Sequence, residues 1–390
     1  MKTEEREFMK TSEGKSSRTV LEEINRANIN LSQLRRNLEI IRSKLKPGVK
    51  FMGVVKGDAY GHGLVTIAEE LQLCNCDAIG VVRLTEAVAL REANIKIPII
   101  ILAPIMPSQV NCVVDQHITI MVDNEKTISS LDEYAAKQSK MAEVHVKVNT
   151  GLNRYGIEPK DVLGFITMIH NKYPRIKISG IYTHFKDPET NSQFTNEQIH
   201  KFNNVLNSLE REGLRPDIAH SAGSAGILMY PESHFDMVRC GLILYGLEHK
   251  EGDSSLPEGV KSIMSLESRI LKIEKIKAGH SGGYGNSFVA KRDSYVAVVG
   301  MGYGDGISRG WKEVLIAERK VPVVNYFMDG ILVDITDVVN ITKEFDKVII
   351  VGTQGNESIS WVDACSSINT RMDEQLQRIT ERVPKHYFYN

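Results

Sequence analysis

A (β/α)8 barrel followed by a mostly β domain is the α/β architecture this sequence predicts, and three observations carry it. Strand-like runs alternate with helical stretches eight times in about 220 residues, the usual size of one closed barrel. A polar joint containing Gly and Pro, GDSSLPEG at residues 252–259, then interrupts the pattern. Beyond it come strands with no helices between them.

The first element is a helix, because Leu31, Leu34, Leu38, Ile41 and Leu45 recur at helical spacing and Pro47-Gly48 ends the run. Strands are then expected at 50–56, 78–82, 98–103, 118–122, 142–148, 176–183, 217–220 and 237–245, with helices at 85–94, 124–137, 161–170 and 196–212. The alternation implies parallel βαβ units; a doubly wound sheet fits the same count, since counting does not show closure. After the joint, 264–276, 294–300, 320–327, 331–338 and 347–351 read as strands, followed by a short helix at 361–368 and a tail ending in RVPKHYFYN. The expected division is a flexible tail over residues 1–17, a barrel over 18–250 whose first few residues pack on the β domain, and a β domain over 251–390.

Composition narrows the function. Lys and Arg number 48 against 49 Asp and Glu, so no long-range field of one sign attracts a nucleic acid or an anionic membrane. The longest apolar run, Ile97 to Met106, is too short to span a bilayer and contains prolines. Five scattered cysteines, Cys74, Cys76, Cys112, Cys240 and Cys365, show neither a disulfide framework nor zinc spacing, and the N-terminus lacks a secretory h-region. The expectation is a cytoplasmic protein without a metal site.

Barrel active sites collect at the C-terminal ends of strands. There the sequence puts Lys56, Lys147, Arg154, His184, Ser224 and Arg239: cations, an imidazole and a hydroxyl, with little acid. Such a set suits a ligand carrying phosphate and carboxylate groups and does not suit a hard cation, which takes several carboxylates. A lysine at a low-dielectric barrel mouth beside other cations favours the free amine that makes Schiff bases. Taken singly, each of these residues has a plainer reading: Lys56 a solvated charge, His184 a satisfied barrel histidine, Ser224 a helix cap, Arg239 half of a buried ion pair, Met328 a core filler.

The segment VVKGDAYGHG (residues 54–63) closely resembles the pyridoxal-phosphate lysine motif of the bacterial alanine racemases, V-K-A-N-A-Y-G-H-G. Further matches follow in order. KVNTGLNR (147–154) resembles K-x-D-T-G-M-x-R, THF (183–185) T-H-F, HSAGSA (220–225) H-x-A-N-S-A, and RCGLILYG (239–246) R-x-G-I-x-L-Y-G. In the second domain GYG (283–285) resembles S-Y-G, GYGDG (302–306) G-Y-A-D-G, and Met328-Asp329 the centre of C-M-D-Q. The resemblance covers about residues 18 to 388, and an ordered series of this density outweighs the plainer readings.

The resemblance implies the closed barrel and a homodimer in which each active site is completed by the partner's β domain. Lys56 then bonds the cofactor, pyridoxal phosphate. Tyr60, Ser224 and the backbone at Gly241 and Leu242 hold its phosphate, His184 lies beside its ring, and Arg239 faces its pyridine nitrogen. Lys56 serves as the base on the D face of the substrate and Tyr284, from the neighbouring subunit, on the L face. Arg154 orients the substrate carboxylate, a carbamylated Lys147 steadies Arg154, and Tyr303 and Met328 contact the carboxylate from the partner, with Asp329 supporting. The implied role is D-alanine supply for peptidoglycan.

Departures cluster at the substrate entrance. Phe327 and Gly330 replace the Cys and Gln around Met-Asp, Gly223 replaces the Asn before Ser224, and Asn149 replaces the Asp of D-T-G-M. Counting back from RVPK, Asp373 falls where the family usually has a tyrosine that narrows the gate. A smaller acid there widens the gate and brings serine, lysine and ornithine into competition with alanine. Amino-acid decarboxylases of the same architecture usually carry a C-E-S-G-D-like segment and an acid at the ring nitrogen, where this chain has Cys365-Ser366-Ser367 and Arg239. A protein that only carries or buffers the cofactor needs neither a second domain nor an opposing tyrosine.

Overall fold

The structure is a computed structural model that describes residues 23–248 and 256–390; the expected tail over 1–17, the 250/251 boundary and the middle of the joint lie outside them. The chain divides into two compact units, Arg35–Val260 and, separately, the segment ending at Leu34 together with Lys261–Asn390.

The described chain opens on β1 (Arg26–Asn30), whose alternation buries Ala27 and Ile29. Helix α1 (Leu31–Arg42) follows, begun by the Asn30 side chain accepting from the Gln33 N–H at 2.9 Å. Leu34, Leu38 and Ile41 line its buried face at spacings of four and three.

Eight parallel strands come next: β2 (Lys50–Val54), β3 (Ala78–Val81), β4 (Ile99–Ile101), β5 (Thr119–Val122), β6 (Ala142–Lys147), β7 (Ile176–Tyr182), β8 (Ile218–His220) and β9 (Met237–Cys240). The segments between them hold α2 (Lys56–Tyr60), α3 (Leu64–Leu73), α4 (Leu84–Glu92), α5 (Val110–Asp115), α6 (Glu125–Lys137), α7 (Val162–Lys172), α8 (Ser192–Arg211) and α9 (Ser224–Met229). The ladder runs β9-β2-β3-β4-β5-β6-β7-β8. It closes between β8 and β9 through two backbone bonds, Asp236 N–H to the Ala219 carbonyl and Arg239 N–H to the Ala222 carbonyl, both 3.0 Å. Strands β3, β4 and β5 are buried at every position, which is why they read as unbroken apolar runs.

Several strands end earlier than the sequence pattern extends, the one expected over 331–338 stopping at Asp334 among them, and two of them do so at predicted site residues. The first stops at Val54 because residues 57–60 turn left-handed, leaving Lys56 beyond the strand in α2. The eighth stops at Cys240 because Gly241, at φ −118° and ψ −97°, leaves the ladder and a 3-10 turn, Leu242–Tyr245, replaces the expected strand.

In the other unit, β10 (Met264–Ile276), β11 (Ser294–Val299), β12 (Glu313–Ile316), β13 (Arg319–Tyr326), β14 (Ile331–Asp334), β15 (Lys347–Gln354), β16 (Glu357–Ile359) and β17 (Lys385–Phe388) form a nine-stranded sheet with β1. The long β10 pairs with β1 and β15 along its first half and with β11 along its second, so the ladder β10-β15-β12-β13-β14-β11 returns to β10 as a ring. Strand β17 lies parallel to β1, with Ile29 opposite Tyr387. Two short helices, α10 (Trp361–Ser367) and α11 (Met372–Leu376), precede it. The Trp361 indole N–H donates to the Met264 carbonyl at 2.9 Å, which ties α10 to the start of β10.

Candidate active site

Lys56 opens a turn in which Gly57, Asp58, Ala59 and Tyr60 take φ of 62°, 52°, 53° and 55°. A left-handed turn costs an L-residue roughly 1–2 kcal/mol, so the three non-glycine positions store about 3–6 kcal/mol. The surroundings offset it. Ala59 is wholly buried and donates to the Val55 carbonyl at 2.8 Å, and the Asp58 carboxylate accepts from the Leu64 N–H at 2.7 Å. The turn brings the Tyr60 ring to 5.8 Å from the Lys56 ammonium nitrogen and packs it at 5.1 Å on Tyr245. Glycine is required at 241, since a Cβ there would lie 2.7 Å from the Tyr60 hydroxyl.

Arg239 sits on β9 with 5 % of its surface exposed, and among the described residues no carboxylate pairs with it. Its guanidinium donates instead to the carbonyls of Thr183 and Ser221, both at 2.8 Å, to His220 Nδ1 at 2.9 Å and to His184 Nδ1 at 3.1 Å. An arginine only donates, so both imidazoles must present Nδ1 as an acceptor and carry their proton on Nε2. His220 Nε2–H then donates to His145 Nδ1 at 2.9 Å, which sets a third tautomer. All three rings are neutral: burial, followed by the Arg239 charge, holds His184 and His220 well below the usual imidazole range and lowers His145 to about 3. Burial also brings Arg239 down, to about 10.

Lys147, two residues after His145 on β6, shares its face of the strand. Its Nζ lies over Tyr155 at 4.6 Å and Tyr182 at 5.4 Å; the Arg154 guanidinium lies 5.0 Å from the Tyr155 ring, and that of Arg239 5.3 Å from Tyr182. Two tyrosine rings therefore separate three cations. After burial, the charges of Arg239, Lys147, Arg154 and Lys56 each disfavour protonation of His184, and of the four Arg239 is in direct contact with it at 3.1 Å. Ser224 opens α9, and its hydroxyl accepts from the Ile243 N–H at 3.4 Å, next to Gly241 and Leu242.

The remaining predicted residues form a second group, on the β unit. Tyr284 is 79 % exposed, with its ring edge-on to Phe327 at 5.6 Å. The Asn325 amide donates to the carbonyls of Gly282 and Tyr284 at 2.9 and 3.1 Å and so holds that turn. Tyr303 N–H donates to the Phe327 carbonyl and Gly304 N–H to the Met328 carbonyl, bringing Tyr303, Phe327, Met328 and the neighbouring Asp329 together. Asp373 lies in α11 and accepts from Arg371 at 3.0 Å; Gln375 of the same helix donates to the Gly306 carbonyl at 2.6 Å. Among the described residues no group of three or more His, Cys, Asp or Glu side chains is disposed to hold a metal ion, and no helix is long and apolar enough to cross a membrane.

Sequence reasoning missed Tyr155, Tyr182, His145 and Asn325. The barrel register opposes Lys147 to Tyr182 and Tyr182 to His220, positions far apart in sequence. Tyr182 is revealed by that register alone, whereas Tyr155 and Asn325 emerge from side-chain contacts.

Family models for the N-terminal and C-terminal domains of alanine racemase match residues 29–249 and 263–387. The chain is 55% identical over 367 residues to alanine racemase 2 of Clostridium acetobutylicum, covering 94% of this chain and 93% of that one. It is 34% identical to the alanine racemase of Halothermothrix orenii, over 93% of this chain and 96% of the relative. Among solved structures, the alanine racemase of Clostridium difficile 630 superposes with a TM-score of 0.87 at 30% identity, covering 94% of this chain and 96% of that chain. The enzyme of Bacillus anthracis, solved with bound L-Ala-P, gives 0.86 at 27% identity, with coverages of 95% and 97%. The closed parallel barrel, the second β unit and both matched halves make this chain a member of the alanine racemase family, an isomerase of the racemase type.

Proposed function

We propose that this chain interconverts L- and D-alanine with pyridoxal phosphate as cofactor, working as a homodimer in the cytoplasm and supplying D-alanine for peptidoglycan. The observation that carries the reading is the cationic barrel mouth: Arg239 on His184 at 3.1 Å, Lys147 and Arg154 at 4.6 and 5.0 Å from the Tyr155 ring, and Lys56 at 5.8 Å from the Tyr60 ring. The residues present fit the cofactor. The Tyr60 hydroxyl lies close over Gly241, the Ser224 hydroxyl accepts from the Ile243 N–H two residues on, and these groups would hold the phosphate; Arg239, which pairs with no carboxylate among the described residues, would serve the ring nitrogen as a donor.

When bound, pyridoxal phosphate supplies a carbonyl that condenses with an amine and a conjugated ring that stabilises negative charge at the substrate Cα. Arg239, which only donates, would face the ring nitrogen and leave it an acceptor, which would limit that stabilisation. Lys56 holds the proton at Nζ on the D face. The partner's Tyr284 holds the proton at its hydroxyl on the L face, and the high exposure of this side chain in the single chain supports its presentation to a second copy. Arg154 takes the substrate carboxylate, Lys147, once carbamylated and so anionic, steadies Arg154, and the partner's Tyr303 and Met328 line the carboxylate side.

Alanine is the substrate proposed. The Asp373 carboxylate accepts from Arg371 at 3.0 Å, an ion pair that competes with a basic substrate side chain for it. The test is a panel of L-alanine, L-serine, L-lysine and L-ornithine assayed for D-enantiomer, with Lys56→Ala read by visible absorbance. Turnover of alanine with loss of the cofactor band in Lys56→Ala is expected. No D-alanine, or a band untouched by the substitution, refutes the proposal.

A further inference from the structure

We propose that Glu86, on α4, is a positioning residue for Lys56. Its carboxylate has two tasks. Oε2 accepts from the N–H groups of Val82 and Arg83, each at 3.0 Å, which is the reach-back bond of a helix capping box. Oε1 accepts from the Gly57 N–H at 2.6 Å, a bond across 29 residues that no cap requires. Gly57 directly follows Lys56 and is the first residue at positive φ, so this bond fixes the point where the chain enters the left-handed turn. One side chain therefore ties the end of β3 to the peptide that carries the amine.

A carboxylate is the group that does this, because three N–H donors face it and it offers only acceptors. A glutamine must turn its own NH2 either toward Gly57 or toward Val82 and Arg83, meeting a donor with a donor. An aspartate lacks the reach to span both. The contact is with backbone alone, so Glu86 acts through the placement of Lys56 and not by touching the reacting atoms. The inference rests on Lys56 being the cofactor-bearing residue.

The experiment compares wild type, Glu86→Gln and Ala89→Gly as full-length enzymes. Ala89→Gly weakens α4 through helix propensity and leaves the Gly57 contact intact. Thermal melting, pyridoxal phosphate affinity by absorbance titration, and kcat and KM for L-alanine are read for each. Glu86→Gln should raise the cofactor Kd at least tenfold and lower kcat at least tenfold, with KM within twofold. Ala89→Gly should match it in melting temperature and keep Kd and kcat within twofold of wild type. If Glu86→Gln does not fold, Glu86→Asp takes its place with the same expected direction. Cofactor affinity and kcat unchanged in the Glu86 variant, or equally lost in Ala89→Gly, overturn the proposal. Borohydride fixation and peptide mapping read its foundation separately: cofactor fixed to a residue other than Lys56 refutes the underlying assignment whatever Glu86 does.

Discussion

Replacing Lys147 by methionine removes a charge the barrel does not want. Lys147 is 2 % exposed, and burial first, then the cations of Arg154 and Arg239, bring its pKa from 10.5 to about 7; Asp123 opposes this only weakly, its carboxylate being taken by the Gly156 N–H at 3.1 Å. Each pKa unit is worth about 1.4 kcal/mol, so protonated Lys147 costs the folded state on the order of 5 kcal/mol. The sign follows from linkage. Between about pH 7 and 10.5 the unfolded chain holds the proton and the folded one does not, so stability rises with pH by at most about 1.4 kcal/mol per unit; below pH 7 the penalty is complete. Urea unfolding of apo-protein from pH 6 to 10, free of bicarbonate, should show Lys147→Met more stable at pH 6, with the advantage shrinking as pH rises. Bicarbonate near pH 8 should then stabilise wild type alone, since the neutral amine adds CO2 and releases a proton to form a carbamate beside Arg154. A wild-type-to-variant difference that is flat from pH 7 to 10 refutes the reasoning.

Three other outcomes follow from the geometry. In Gly180→Ala the new Cβ lies 2.5–2.6 Å from three atoms of the His145 ring, so the variant should lose about 1–3 kcal/mol in urea unfolding, and wild-type stability would contradict the packing. Tyr284→Phe, at an exposed position, should keep stability within about 0.5 kcal/mol and retain cofactor while losing Cα deuterium exchange on one face; equal loss on both faces contradicts the two-base assignment. Asp305 is 1 % exposed and accepts from Gly302 N–H and Arg382 Nε, both at 2.8 Å, so Asp305→Asn should cost roughly 1.5–3 kcal/mol, less in an Arg382→Ala background. Equal cost in both backgrounds means the pair is uncoupled.

Much of the barrel was legible because β3, β4 and β5 are buried at every position and read as apolar runs, and the longer helices repeat at 3.6 residues. The strands that escaped notice are short. Strands β12, β16 and β17 have three or four residues each, too few for a period to show, and β1 alternates Arg, Asn and Asn with only two apolar side chains. Lys56 was visible as a motif, yet the turn that carries it past the strand end was not, since Asp58, Ala59 and Tyr60 are L-residues that seldom adopt positive φ. The histidine tautomers were illegible for another reason: they depend on which nitrogen faces Arg239, a matter of three strands in register.

Strand β1 and strand β17 pair at opposite ends of the chain; the Ser32 hydroxyl and the Asn390 carbonyl that meet beside them lie 358 positions apart. On a ribosome adding about 5–20 residues per second, β1 waits roughly 20–70 s for its last neighbour. The 226-residue stretch Arg35–Val260 is made in that interval and has its own closed ladder to fold into. The nascent protein thus passes through a stage with a finished barrel and a bare edge strand ahead of it. Cutting the gene before Lys385 would make that stage permanent, and such a truncation should be more exposed to chaperones and proteases than its small loss of length suggests.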